Sequence, residues 1–279
     1  MNIGIVGLGL IGGTYAKSLR KYPYKIYGID IETSVIDYAL ENNIIDHGTI
    51  DPSKEFLKKL DVVFLCLYPN ETIKFVRKHI MKFKRDCIIS DVVGIKRKII
   101  DSLDVFKDDE VEFVFSHPIA GREKIGIEYS DENIFKDANF VITPTEKNTD
   151  EGMNVIKVLA HQMGFKNVSF MKDFQHDEII SFTSQLTHAI AISLINSDLE
   201  KYDTKLFIGD SYKDLTRIAK INENLWSELF INNKDFLVKN IDNFILKLEE
   251  LKEAVQRKEQ QKLKSLMIES TKRRTKIDD

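Results

Sequence analysis

Three glycines at positions 7, 9 and 12 stand in the spacing G-x-G-x-x-G, as Gly7-Leu8-Gly9-Leu10-Ile11-Gly12, and Asp30 follows eighteen residues after the last of them. Each type has a task in binding a dinucleotide. The first glycine permits a tight turn, the second lets the backbone approach a pyrophosphate, and the third lets a helix pack closely on a strand. The phosphate then meets the helix N-terminus. A carboxylate at position 30 would accept hydrogen bonds from a ribose 2′-hydroxyl and would repel a 2′-phosphate. Ile31, Glu32 and Thr33 bring no arginine to offset that repulsion, so the expected cofactor is NAD rather than NADP.

A second chemically active stretch is Ser116-His117-Pro118-Ile119-Ala120-Gly121-Arg122-Glu123, with one histidine, two opposite charges and two turn formers in eight residues. It comes directly after the apolar run Val111-Glu112-Phe113-Val114-Phe115. This order predicts the stretch at the carboxyl end of a strand, where open parallel sheets bind ligands, with His117 facing the cofactor cleft.

The elements that must hold these groups alternate in type. Asn2-Ile3-Gly4-Ile5-Val6 reads as a strand, the glycine loop leads into a helix, and Lys25-Ile26-Tyr27-Gly28-Ile29 is a second strand ending in Asp30. A helix over 34–41 precedes the run Asp61-Val62-Val63-Phe64-Leu65-Cys66-Leu67, whose unbroken apolar character suits a strand buried on both faces. A helix over 71–83, a strand through Cys87-Ile88-Ile89-Ser90-Asp91-Val92-Val93, a loop starting at Gly94 and a helix over 96–103 continue the alternation. Leu67 and Asp91 complete the candidate cofactor-binding set. Phe140-Val141-Ile142-Thr143-Pro144, a helix over 150–163 and Asn167-Val168-Ser169-Phe170-Met171 close the half. The expected first domain is a Rossmann-type α/β unit over 1–171.

From Lys172 onward strand-like alternation stops. Ile179, Phe182, Leu186, Ile190 and Leu194 recur at helical spacing, and further helices are expected over 212–221, 225–233 and a long charged stretch, 235–270. In the last, Leu248, Leu251 and Val255 form a stripe and Glu253 can pair with Arg257. Residues 272–279 look ready to fray. The second domain is therefore expected to be all-helical over 172–279.

Composition excludes some partners. The 279 residues carry 41 Lys and Arg against 44 Asp and Glu, a net charge of -3, so no whole-chain field draws in nucleic acid or an anionic membrane. No charged-then-apolar leader follows Met1, and no apolar stretch approaches the roughly 18 to 20 residues that span a bilayer. The expected compartment is the cytoplasm. Cys66 and Cys87 lie in apolar runs without zinc-site spacing, as buried reduced thiols would.

The chain resembles the prephenate dehydrogenases, with their arogenate-using and dual-specificity relatives. The resemblance covers roughly residues 3–240 and rests on four ordered motifs: Gly-Leu-Gly-Leu-Ile-Gly-Gly at 7–13, Ser-His-Pro-Ile-Ala-Gly at 116–121 with Glu123, Ser184-Gln185-Leu186-Thr187-His188, and Lys213-Asp214-Leu215-Thr216-Arg217-Ile218-Ala219 followed by Trp226. It implies oxidation of prephenate at C4 by NAD+, with loss of CO2 that aromatises the ring to 4-hydroxyphenylpyruvate. It also implies that His117 accepts the proton of the C4 hydroxyl, a task for which a neutral imidazole is suited. The substrate carries two carboxylates, which call for fixed cations and neutral donors rather than a metal. The resemblance assigns Arg217 to them, with Asp214 and Glu123 in an ion-pair network around it, and places Ser184 and His188, four apart on one helical face, in the substrate pocket. A surface arginine paired with Asp214 and a core histidine are the competing readings of Arg217 and His188. Trp226 is either a pocket wall or interhelical packing. A homodimer built through the helical domain is implied as well.

Some positions depart from the family pattern. Gly94 stands where many relatives carry a serine close to the catalytic histidine. Gln185 and Thr187 replace a common histidine and proline, and Tyr68-Pro69 shifts a proline that usually follows the third strand. Arg122 takes the place of a small polar residue, and an added cation there would favour prephenate's pyruvyl carboxylate over arogenate's ammonium. Other classes fit less well. A β-hydroxyacid dehydrogenase would need a lysine between Ile179 and Asp198, and there is none. A reductoisomerase would need paired carboxylates for magnesium, whereas adjacent Asp177 and Glu178 diverge. A cofactor-sensing protein would have no need of His117, Ser184, His188 and Arg217 together.

Overall fold

The apolar runs of the first half are divided between two sheets. The computed structural model describes residues 1–103, 110–122 and 124–278. Strands β1 (Asn2–Val6), β2 (Lys25–Ile29), β3 (His47–Thr49), β4 (Val62–Leu65), β5 (Cys87–Asp91) and β6 (Val111–Phe113) form one sheet in the order β3-β2-β1-β4-β5-β6. Every neighbouring pair is parallel. The chain leaves β1 toward one edge and returns at β4 toward the other, so the topological switch point lies at the carboxyl ends of β1 and β4, beside the glycine loop. Burial on both faces explains the unbroken apolar runs. Val62 and Phe64 join one core cluster, while Val63 and Leu65 join the other.

The second sheet holds β7 (Phe115–Ile119), β8 (Asn139–Thr143) and β9 (Asn167–Phe170), with β7 antiparallel and β9 parallel to β8. The expected single strand through Phe115 is therefore corrected. It breaks at Val114, whose N–H still reaches Ile89 O at 2.9 Å, and the next residue already pairs with Thr143. Ser116-His117-Pro118 lies inside β7 rather than after a strand, with His117 opposite Val141. Pro118 tolerates this position because β7 is an edge strand and needs no outward N–H there.

The α-helices are α1 (Leu10–Leu19), α2 (Thr33–Glu41), α3 (Lys54–Leu57), α4 (Pro69–His79), α5 (Arg97–Leu103), α6 (Asp150–Gln162), α7 (Asp173–Ile180), α8 (Leu186–Asn196), α9 (Asp210–Thr216), α10 (Glu223–Asn232), α11 (Lys234–Gln256) and α12 (Gln260–Asp278). Short β3 and α3 carry no periodic signal and were not anticipated; α3 is nucleated by Ser53, whose Oγ accepts from Phe56 N at 3.2 Å. A π-turn, Ser181–Gln185, joins α7 to α8 in one continuous helix. That helix, Asp173–Asn196, is long and apolar enough by length and composition to cross a membrane, contrary to the expectation that no stretch approaches such a length.

The chain divides into two compact units, Met1–Asn233 and Lys234–Asp279. In the second, the expected single helix breaks after α11, where Lys258 adopts a left-handed φ of 56°, and α12 returns onto α11. Lys262 and Lys247 both reach Glu250, at 2.5 and 3.2 Å, and Glu253 pairs with Arg257 at 3.4 Å. Leu248 and Val255 remain exposed. The 272–278 stretch is helical rather than frayed.

Candidate active site

The glycine loop has the geometry of a phosphate cradle. Gly7 has a φ of +84°, and a Cβ there would lie 2.5 Å from Cys66 O. A Cβ on Gly12 would lie 1.9 Å from Gly7 O, so the turn and the start of α1 touch without side chains between them. A Cβ on Gly9 would meet nothing within 4 Å, which leaves an open approach to the backbone at the N-terminus of α1. No acidic side chain occupies that first turn, and its N–H groups lack intrahelical acceptors. Asp30 is fixed at the rim: its Oδ2 accepts from Leu8 N at 2.7 Å and its Oδ1 from Glu32 N at 3.0 Å. Leu8 itself is core, Leu10 and Ile11 are half-buried, and Leu67 packs its side chain against the Gly7 turn. The residues present fit a bound dinucleotide.

Asp91, expected at the cofactor, is turned inward instead. Its side chain is 2% exposed; Oδ1 accepts from Ser116 N at 3.1 Å, and Oδ2 accepts from Val93 N at 2.9 Å and from Lys96 Nζ at 2.5 Å. The pairing of a wholly buried lysine with this carboxylate is the physical reason, because neither charge can stand alone away from water. Burial pushes the Lys96 ammonium below its ordinary range, and Asp91 opposes that shift. Lys96 Nζ also donates to Ser116 O at 2.5 Å, Ser116 Oγ donates to Asp91 O at 2.7 Å, and the Ser90 and Ser116 hydroxyls lie 2.8 Å apart. Ser116, one residue before His117, is thereby joined through its N–H and hydroxyl to the end of β5 and through its carbonyl to Lys96 in the connection that follows.

His117 is half-buried on β7. Its Nδ1 lies 2.9 Å from Nε2 of His176, and the two rings meet nearly edge to face at 5.1 Å. His176 Nδ1 in turn lies 2.8 Å from Asp177 Oδ1. The Asp177 carboxylate closes the row by accepting from Lys96 N at 2.7 Å and Arg97 N at 3.0 Å. Burial holds His117 well below the ordinary imidazole range, assisted by His176 and Lys96. His176 is lowered chiefly by burial, with Asp177 opposing. The other edge of the His117 ring faces Gly94: a Cβ there would lie 3.5 Å from His117 Nε2 and 3.6 Å from Leu229 Cδ2. His176, Asp177 and Lys96 were not singled out as site residues from sequence. They are brought to His117 by contacts spanning 20 to 81 positions, for which local spacing carries no signal.

Along the helical wall Leu186 is the buried member of the apolar stripe, Ile179 and Phe182 are 44% and 57% exposed, and the inner face carries His176, Asp177, Ile180, Ser181 and Gln185. Leu186 N donates to Ser181 O, five residues back, and this extra residue shifts the phase of α8 against α7. Gln185 donates to Leu229 O at 3.1 Å and accepts from Asn233 Nδ2 at 2.9 Å; Asn233 Nδ2 also reaches Asp177 O. These contacts seat α10 against the turn.

Ser184 and His188 are together, with His188 Nδ1 at 2.9 Å from Ser184 O. The His188 ring lies 3.6 Å from that of Trp226 at 29°, and Trp226 meets Phe230 at 5.7 Å, so the tryptophan fills the space between α8 and α10. Trp226 lies one turn before Leu229, which borders Gly94 and His117. The 3-10 turn Arg217–Ala219, holding the exposed Arg217, packs on α8, and Asp214 is exposed on α9. Glu123 lies outside the described residues. Arg122, expected as an added cation beside the pocket, is paired with Asp131 at 3.1 Å and is about half exposed (48%). A carboxylate so close offsets its charge.

Residues 15–169 match the family description "Prephenate dehydrogenase, nucleotide-binding domain", and residues 172–269 match "Prephenate dehydrogenase, dimerization domain". Among curated relatives, a prephenate dehydrogenase of Bacillus subtilis is 27% identical over 266 residues, covering 93% of this chain and 71% of that protein. Among solved structures, prephenate dehydrogenase from A. aeolicus in complex with hydroxyphenyl propionate and NAD+ superposes with a TM-score of 0.90 at 32% identity, covering 99% of this chain and 98% of that one. The arogenate dehydrogenase of Synechocystis superposes with a TM-score of 0.83 at 25% identity, covering 99% and 100%.

Proposed function

The chain belongs to the prephenate dehydrogenase family, and from that premise we propose that it carries out NAD-dependent oxidative decarboxylation of prephenate to 4-hydroxyphenylpyruvate, a step of tyrosine biosynthesis. The cofactor is NAD, and the open Gly9 turn and the anchored Asp30 are the groups that would hold its pyrophosphate and ribose. Bound NAD+ supplies the acceptor for the hydride of the substrate's C4–H bond.

The observation that carries the reading is the edge of His117 turned toward Gly94, where residue 94 places no side chain against Nε2 and a substrate hydroxyl would approach. There His117 takes the hydroxyl proton as the carbinol becomes a carbonyl. Departure of CO2 then leaves its bonding pair in the ring, which becomes aromatic. Burial keeps the imidazole neutral and ready to accept. Arg217 would bind a substrate carboxylate, with Ser184, His188 and Trp226 lining the ring pocket and Asp214 and Arg122 bordering it. Residues 1–171 would bind cofactor, and residues 172–279 would complete the substrate site and form a homodimer in the cytoplasm.

A second reading, oxidation of arogenate, is favoured by the pairing of Arg122 with Asp131, which removes the extra unpaired cation that would have selected prephenate's pyruvyl group. The test is NADH formation by purified protein, with prephenate and arogenate in parallel and with NAD+ and NADP+ for each. Prephenate with NAD+ is expected to give the highest kcat/KM. A higher value with arogenate replaces the first reading by the second, and no NADH with either substrate overturns both.

A further inference from the structure

We propose that His176 and Asp177 are positioning residues that set the tautomer of His117, so that its Nε2 is the bare, proton-accepting nitrogen. The inference rests on His117 as the proton acceptor and extends it to the groups behind the ring.

The direction of every hydrogen bond in the row follows from its far end. Ionised Asp177 can only accept, and it already accepts from the backbone N–H groups of Lys96 and Arg97. His176 Nδ1, at 2.8 Å from Asp177 Oδ1, must therefore be the donor. A neutral imidazole with its proton on Nδ1 has a lone pair on Nε2. That lone pair lies 2.9 Å from His117 Nδ1, so His117 Nδ1 must donate as well. The remaining nitrogen of His117, Nε2, is then without a proton, and it is this nitrogen that faces the space beside Gly94. Without the row, either tautomer would be open to His117, and the one with its proton on Nε2 could not act as a base.

The charged groups around the row agree with this direction. Toward His117 lie His176 from α7, Lys96 from the β5–α5 connection and, through Ser116, Asp91 from β5; Asp177 stands behind His176. Lys96 is paired with Asp91 at 2.5 Å, so the negative charge of Asp177 is available to the imidazolium that forms when the substrate proton arrives. The proton moves from the C4 hydroxyl to His117 Nε2; the Nδ1 proton of His117 and the Nδ1 proton of His176 stay on their nitrogens, and Asp177 stays ionised.

The experiment compares His176→Gln, His176→Phe, Asp177→Asn and His117→Asn as full-length proteins. A glutamine carbonyl can replace the His176 Nε2 acceptor, whereas phenylalanine fills the space and accepts nothing. Expected are a loss of roughly 100-fold or more in kcat for His176→Phe and Asp177→Asn, at least ~10-fold recovery in His176→Gln relative to His176→Phe, and an unchanged Kd for NAD+ in all. In the wild type, 15N spectra of the ring nitrogens are expected to show a protonated Nδ1 and an unprotonated Nε2 on His117, a signature that a merely structural His176 would not fix. If His176→Phe loses no kcat, or the spectra place the His117 proton on Nε2, the tautomer assignment is overturned while the base assignment stands. Full turnover in His117→Asn overturns the base assignment itself.

Discussion

Gly94 and His117 face each other across a gap that would hold one small group: a Cβ built on Gly94 lies 3.5 Å from His117 Nε2, an ordinary van der Waals distance. Position 94 therefore accepts a small side chain without moving the ring. Gly94→Ala is expected to fold with stability within about 0.5 kcal/mol of wild type by urea denaturation. Gly94→Ser is expected to retain activity while placing a hydroxyl beside Nε2, shifting the acid limb of the kcat/KM profile. Gly94→Leu would occupy the space of the substrate hydroxyl and is expected to lower kcat/KM by at least ~100-fold with NAD+ affinity unchanged. Near-wild-type kcat/KM in the leucine variant would mean that substrate does not bind on this side of the ring.

The low proton affinity of His117 has a definite sign in a pH profile. A base must be neutral to act, and burial with His176 and Lys96 nearby lowers the pH at which the ring takes up a proton. Activity is therefore present above that lowered value and lost as pH falls through it, so the acid inflection of kcat/KM should lie below the ordinary histidine value of about 6.5. His117→Asn is expected to cost at least ~100-fold in kcat and to remove the inflection.

Lys96 is a stability residue for the site. With its side chain at 0% exposure and its ammonium on Asp91 and Ser116 O, Lys96→Met leaves a buried carboxylate without its cation. Loss of one partner of such a pair costs about 3 to 5 kcal/mol. Equilibrium urea unfolding should register a loss of that order, and a double variant with Asp91→Asn should recover part of it. A loss under about 1 kcal/mol in Lys96→Met would show that the pair is not a buried ion pair in solution.

The glycine loop can be tested by binding alone. Gly12→Ala sets a Cβ against Gly7 O at 1.9 Å and is expected to abolish NAD+ binding by calorimetry. Asp30→Asn removes the charge at the ribose position while keeping the side chain's shape, and a loss of a charge-assisted contact of about 1.5 to 3 kcal/mol corresponds to roughly 10- to 150-fold in Kd. Unchanged affinity in Asp30→Asn would place the ribose elsewhere.

Geometry that depends on local spacing was legible in the sequence: the glycine turn, Asp30 at a strand end, and Ser184 with His188 one helical turn apart, joined through His188 Nδ1 and Ser184 O. The residues that complete His117 were not. His176 and Asp177 lie just before the apolar stripe and Lys96 at the start of a separate expected helix, and their burial is explained by one another and by Asp91. The π-turn was not legible either, because one additional residue in a helix leaves no compositional mark. Asp91 was placed correctly at a strand end, yet a neighbouring lysine, unremarkable as text, turned its carboxylate inward.

The fastening of Ser116 to the end of β5 has a mechanical consequence. Although His117 sits on a strand of the second sheet, the contacts of Ser116 with Ser90, Asp91 and Lys96 make that strand's edge an extension of the nucleotide-binding sheet. His117 and the glycine loop are thus tied to the same sheet by hydrogen bonds that do not involve the helices α8 to α10. The ring is therefore held from two directions, by the strand-end contacts of Ser116 on one side and by His176 of α7 on the other, so a change in either support would tilt it.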